Sequence, residues 1–225
     1  MTGQSATFRL GFVAGVTPDK WARMWAERLP GVALELEQAP TDEVVAGVRA
    51  TELDAGLVRL PIDRDGLHAI PLYTETTVVV VPKDHVITVA EEATLDDLAD
   101  EVVQHPQDDT LDWADGRPGR AAVSDPATTA DAIELVAAGV GLLVLPLSLA
   151  RLHHRRDLTH RALTDAPTST VALTWPDAEN SDEMEELIGI VRGRTVNSSR
   201  TPRREAAPQP KADRRRPPRR GARRR

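Results

Sequence analysis

Apolar positions along this chain change their spacing repeatedly, between the period of two that marks strands and the period near 3.6 that marks helices. Residues 8–13 read as a first strand. Thr17-Pro18 then has helix-start chemistry, a hydroxyl at the N-cap followed by proline at the first helical position. Trp21, Met24, Trp25 and Arg28 share one face of the helix that follows, a stripe suited to core or interface. Pro30-Gly31 is a turn, after which Val32, Leu34 and Leu36 alternate with Ala33, Glu35 and Glu37, as in a half-buried strand. Thr41 is expected to cap a second helix over 42–53. Residues 54–58 form a strand ending in Arg59-Leu60-Pro61, and residues 67–73 and 76–81 form two more. This βαβαβ opening predicts a parallel sheet in a doubly wound domain.

The second half begins near Pro82, with a short helix at 94–99, a buried strand at 102–103, a polar irregular stretch at 106–118 and a strand at 121–123. Its most informative stretch is TTADAIELVAAGVGLLVLPL, residues 128–147. Thr128 is a good N-cap, and Asp131 sits where a carboxylate meets the positive end of the helix dipole. Ile133, Val136, Ala137 and Val140 form one apolar face, and Gly139 and Gly141 end the helix where positive φ is needed. The unbroken run 142–145 predicts a fully buried strand closed by Pro146. A helical turn at 148–152, strands at 158–163 and 170–175, and a last helix at 182–192 capped by Ser181 complete the series.

Composition narrows the chemistry. Apolar residues make up 40% but aromatics only 3%, so aliphatic side chains fill the core. The 225 residues contain no cysteine, which excludes disulfides, thiolate catalysis and zinc–thiolate sites. The N-terminus lacks the features of a signal peptide, and no apolar stretch reaches the roughly 18 residues of a membrane helix. A cytoplasmic location without membrane contact is expected. The net charge of −7 hides two opposite parts. Residues 195–225 hold 12 Lys and Arg against two acids, whereas residues 1–194 hold 16 against 33. From Arg200 onward there is no periodicity and there are five prolines, which predicts a disordered Arg/Pro tail. That tail reads as a solubilising extension, a nonspecific nucleic-acid binder or a docking segment for an acidic partner. The acidic body should repel nucleic acid.

No Walker A loop, HExxH or G-x-S-x-G motif is present. His153 and His154 are adjacent, so their side chains diverge on any regular element, and a metal site there is not expected. The helix starts at Thr17 and Thr128 offer N–H groups suited to a carboxylate, although both threonines serve equally as caps. Arg59 either pairs bidentately with an anion or is a surface arginine. Pro146 shapes a binding wall or simply stops a strand.

Four segments, in order, carry a resemblance: FRLGFVAGVTPDKWARMWAERLPGVALEL, ELDAGLVRLP, TTVVVVPKDH and VAAGVGLLVLPLSLA. Together they resemble the effector-binding domain of LysR-type transcriptional regulators. The stretch KDHVITVAEE departs from the family's wording, and 108–118 is shorter than the family's pattern. Only six residues precede the first strand, so the family's winged helix-turn-helix is expected to be missing. The resemblance implies an α/β fold of two Rossmann-like subdomains with a ligand cleft between them, as in type 2 periplasmic binding proteins. One lobe would hold residues 7–75 and 168–194 and the other 78–165, followed by a disordered basic tail from 195. It implies ligand contacts at Val16, Thr17, Pro18, Arg59, Leu60, Pro61, Thr128, Thr129 and Pro146. No catalytic residue, metal or cofactor is implied. The implied partners are a small-molecule effector, an organic anion, and a second copy paired through residues 21–29 and 32–36. An enzyme on the same fold and an interaction protein that dimerises with full-length regulators are the competing readings.

Overall fold

The computed structural model describes residues 6–114 and 116–193. In chain order the first elements are β1 (Ala6–Phe12), α1 (Asp19–Arg28), β2 (Val32–Gln38), α2 (Thr41–Arg49), β3 (Ala55–Leu60), β4 (Leu67–Glu75) and β5 (Thr77–Pro82). There follow β6 (Glu92–Ala93), β7 (Val102–Gln104), β8 (Arg120–Ala121), α3 (Thr129–Ala137) and β9 (Leu142–Pro146). The last are α4 (Leu147–Leu152), β10 (Leu158–Leu163), β11 (Ser169–Pro176) and α5 (Asp182–Val191). The basic segment expected to be disordered, residues 195–225, lies outside the described residues.

Two mixed sheets result, in strand order β2-β1-β3-β11-β4 and β6-β10-β5-β9-β7-β8. The parallel opening expected from the sequence holds for β1 with β2 and with β3. It fails where the chain passes from one sheet to the other. β11, returning from the second sheet, runs antiparallel to both β3 and β4, and β5 runs antiparallel to β9 and β10. A strand that enters a sheet from its neighbour has no crossover helix to reverse its direction, so it meets its partners head to tail.

The first core gathers Phe8, Leu10, Trp25, Val48, Leu57, Leu173 and Leu187 between sheet and helices. Trp25 is 1% exposed, and its indole N–H donates to the Val32 carbonyl oxygen at 3.0 Å. The second sheet has a core on each face. On β5, Val78 and Val80 meet α3 through Ile133 and Val136, whereas Val79 and Val81 meet Leu98, Val103 and Leu142 on the other side. The unbroken apolar runs of β5 and β9 follow from this two-sided burial.

The caps agree with the sequence at two places and differ at two. Thr128 Oγ1 accepts the Asp131 N–H at 3.1 Å and donates to Asp131 Oδ2 at 2.8 Å, and Ser181 Oγ accepts the Met184 N–H at 3.2 Å. Thr17, expected to cap α1, is exposed and makes no side-chain hydrogen bond among the described residues; the cap is Pro18. Thr41 is the first residue of α2, and extended Pro40 precedes it as the cap. Both helices therefore start without a side-chain acceptor for their first N–H groups. The helix expected at 94–99 contracts to one turn of 3-10 helix, Asp96–Leu98, behind the two-residue β6. The Asp97 carboxylate there accepts from both the N–H and the hydroxyl of Thr94, which favours a tight turn.

Candidate functional site

A cavity of about 1140 Å³ opens beyond the carboxyl ends of β1, β2 and β3. In open α/β sheets this is the end at which ligands collect. Residues 38–42, at the β2–α2 junction, and 59–63, after β3, form one wall together with Val45, Ala46 and Arg49 of α2. The facing wall is the irregular segment 107–112, with Ala127 and Thr129 at the start of α3 and Leu149 and His153 near α4. Val45, Ile62, Leu111 and Leu149 give the cavity an aliphatic surface, and among the described residues no Phe, Tyr or Trp is in the lining.

Arg59 stands at the base of this cavity, and its burial corrects one of the two sequence readings of it. It is 4% exposed, so it is not a surface arginine. Three of the five N–H donors of its guanidinium are engaged within the protein. Nε donates to Glu75 Oε2 at 2.9 Å, Nη1 to the Ala14 carbonyl oxygen at 2.8 Å and Nη2 to Ser148 Oγ at 2.9 Å. Glu75, at the end of β4, is itself buried. The ion pair thus joins β3 and β4 of the first sheet to α4, which rests on the second. Gly15 lies against the same cluster at φ +82°, where an added Cβ would fall 2.7 Å from Ser148 Oγ and 3.0 Å from Arg59 Nη2. Only glycine gives the backbone that approach.

The second cavity arginine is also engaged. Arg49 Nη2 donates to Asp63 Oδ2 at 2.7 Å and to the Asp63 carbonyl oxygen at 2.9 Å. The Asp65 backbone N–H, aided by Arg49, holds the Asp63 carboxyl below the usual carboxylate range. On the facing wall, Asp109 accepts from the Leu111 N–H and the Trp113 indole N–H, which folds the 107–112 segment on itself. Asp108 Oδ1 accepts from Thr129 Oγ1 at 2.9 Å. Asp42 and Asp112 complete the five carboxylates of the lining, against two guanidiniums. Thr110, also in the lining, has a buried hydroxyl without a hydrogen-bond partner among the described residues.

Of the residues singled out from the sequence, Arg59, Leu60, Pro61 and Thr129 line the cavity. Val16, Thr17, Pro18, Thr128 and Pro146 lie outside its lining. Val16 is buried in the first core, and Pro146 is a buried end of β9. The sequence reading missed the β2–α2 junction and segment 107–112. The junction had a visible signal in the helix start near Thr41; segment 107–112 had none beyond its polarity. Behind that segment, His105 is 5% exposed, with Nε2 3.3 Å from the Pro118 carbonyl oxygen. Burial pushes its imidazole pKa below the ordinary value. Among the described residues no group of three or more potential metal-ligating side chains occurs, and no helix is long and apolar enough to cross a membrane.

Comparison with known proteins places this geometry. The profile of the LysR substrate binding domain matches residues 2–195. A probable hydrogen peroxide-inducible genes activator of Mycobacterium avium is 28% identical over 207 residues, covering 86% of this chain and 66% of the relative's own length. The HTH-type transcriptional regulator IlvR of Caulobacter vibrioides is 30% identical over 208 residues, 84% of this chain and 68% of that protein. The chain therefore spans about two thirds of the length of such relatives. Among solved structures, the BenM effector binding domain with its effector benzoate superposes with a TM-score of 0.73 at 21% identity, covering 84% of this chain and 91% of that one. The oxidized form of OxyR gives a TM-score of 0.70 at 22% identity, covering 85% and 96%. At such identities these structures share the fold.

Proposed function

The chain belongs to the LysR substrate binding domain family, and on that premise we propose that it senses a small-molecule effector for transcriptional regulation. The two sheets are read as two lobes, residues 7–75 with 168–194 and residues 78–165. The effector enters the cleft between them and biases their arrangement. The observation that carries this reading is the cavity itself, about 1140 Å³, with walls of different origin and an aliphatic surface interrupted by polar groups. Leu60, Pro61 and Thr129 are proposed as direct contacts. Arg59 acts as a framework residue that fixes the base of the cleft.

Binding rather than turnover is the reading for this cleft, because the lining offers carboxylates without an activated nucleophile beside a base. Thiol oxidation is not open to it, since sensing of that kind needs a cysteine and these 225 residues have none. Pairing of two copies is proposed through α1 and β2. β2 is an edge strand with Leu36 40% exposed, and Trp21 and Met24 are only partly covered by the first core.

The test is a thermal-shift screen of metabolites on the 225-residue protein and on Ala46→Phe. Ala46 is an exposed residue of the lining, so a phenyl ring there fills the cleft without entering the core. Effectors should raise the melting temperature of the parent but not of the variant, and should be recovered unchanged. Chemical conversion of a hit would favour an enzyme. Hits that ignore Ala46→Phe would remove the cleft from the mechanism.

A further inference from the structure

We infer that the effector of this cleft carries a positive charge, as an ammonium or amidinium group on an aliphatic body. The inference rests on the effector-cleft reading above and specifies its ligand class. The lining holds five carboxylates, and both of its guanidiniums are paired with carboxylates of the protein. Arg59 is neutralised by Glu75 in a buried pair, and Arg49 is held by Asp63. The place where an anion would be expected, beside the first turn of α3, already holds a carboxylate of the protein. Asp108 accepts the Thr129 hydroxyl there, while Thr128 and Asp131 close the cap on each other.

An organic anion entering this cleft would face Asp42, Asp108 and Asp112, while Arg49 is already paired with Asp63 and the His153 imidazole is the one further basic group among the described lining residues. Asp42 and Asp112 have no hydrogen-bond or ion-pair partner among the described residues, and Asp108 accepts a single hydroxyl bond. A cationic head satisfies these oxygens as charge-assisted hydrogen bonds, the stronger class of polar contact. Among the described residues the buried hydroxyl of Thr110, on the same wall, also lacks a partner. The apolar part of the surface is aliphatic, with no Phe, Tyr or Trp among the described lining residues, so the body of the ligand is saturated hydrocarbon rather than an aromatic ring needing a stacking partner.

The experiment is calorimetric titration of the full chain at low ionic strength with three compounds of matched length: 1,5-diaminopentane, glutarate and 1,5-pentanediol. The diamine should bind, glutarate and the diol should not, and Asp112→Asn should weaken the diamine about tenfold. Affinity should fall as salt rises, because ions screen the attraction. Tighter binding of glutarate than of the diamine, abolished by Ala46→Phe, would overturn the charge assignment and leave the effector cleft standing. Diamine binding untouched by both Asp112→Asn and Ala46→Phe would overturn the proposal by putting the cation on the outer surface. No diamine binding at millimolar concentration would overturn it as well.

Discussion

Replacing Glu75 by leucine tests whether the Arg59–Glu75 pair holds the base of the cleft. The substitution leaves a guanidinium that is 4% exposed without its counter-charge, while its bonds to the Ala14 carbonyl and Ser148 hydroxyl persist. Removing one partner of a buried ion pair costs about 3–5 kcal/mol, because the remaining charge can neither reach water nor find a substitute. Glu75→Gln keeps an acceptor opposite Nε but loses the charge, so its cost should be smaller, about 1.5–3 kcal/mol. The double variant Arg59→Met with Glu75→Leu strands no charge and should cost less than either single change that strands one. Urea unfolding of the parent, Glu75→Leu, Glu75→Gln, Arg59→Met and the double variant gives the ordering. Thermal unfolding checks it, since about 2–4 °C accompanies each kcal/mol in a domain of this size. If the two single costs simply added in the double variant, the pair would be uncoupled. Arg59 would then act only through Ala14 and Ser148.

Three further outcomes are expected. Gly139→Ala should cost about 1 kcal/mol, since its φ of +76° is strained for alanine but its Cβ meets open space; Gly141→Ala should cost clearly more, because there the Cβ also runs into the Val102 carbonyl oxygen. Urea unfolding separates the two, and equal costs would refute the close approach. Burial holds the His105 pKa below its ordinary 6.5, so the unfolded chain takes up the proton first as pH falls. The stability this residue contributes is complete above about pH 6.5 and disappears as pH drops through the folded-state value. Melting temperatures between pH 7.5 and 5 should therefore fall less in His105→Leu than in the parent. Residues 195–225, with 12 Lys and Arg against two acids, should bind unrelated DNA duplexes equally. In anisotropy titrations, affinity should fall with a slope near −0.9 per phosphate neutralised. Selective binding by a 1–195 truncation would refute that division of labour.

The features legible in the sequence are those set by short-range spacing. The α3–β9 corner is the clearest. Thr128 with Asp131 encodes the cap, Gly139 and Gly141 the turn at positive φ, and the run to Pro146 a strand covered on both faces. Each signal lies within four residues of what it determines. A hydroxyl next to proline is less specific, since Thr17-Pro18 and Pro40-Thr41 both start helices without using the threonine as the cap. Sheet polarity was harder to read. β11 runs against β3 because the chain has visited another sheet in between, and no local pattern records that visit.

The cleft divides along the same line. Arg59, Leu60 and Pro61 could be placed near it because they end a strand, and strand ends are local. What Arg59 does there depends on Glu75, sixteen residues away, and on Ser148, eighty-nine away, neither of which any motif ties to it. The same separation hides the charge of the cleft. Asp42 belongs to a helix start, Asp63 to a turn, and Asp108 and Asp112 to an irregular segment, and singly each is an ordinary surface acid. Folding brings them to one opening, pairs Arg49 with one of them, Asp63, and pairs Arg59 with Glu75 outside the lining. A strand-end arginine read in isolation suggests an anion. With its buried partner in view that charge is cancelled, and the carboxylates around the opening favour the cationic ligand proposed above.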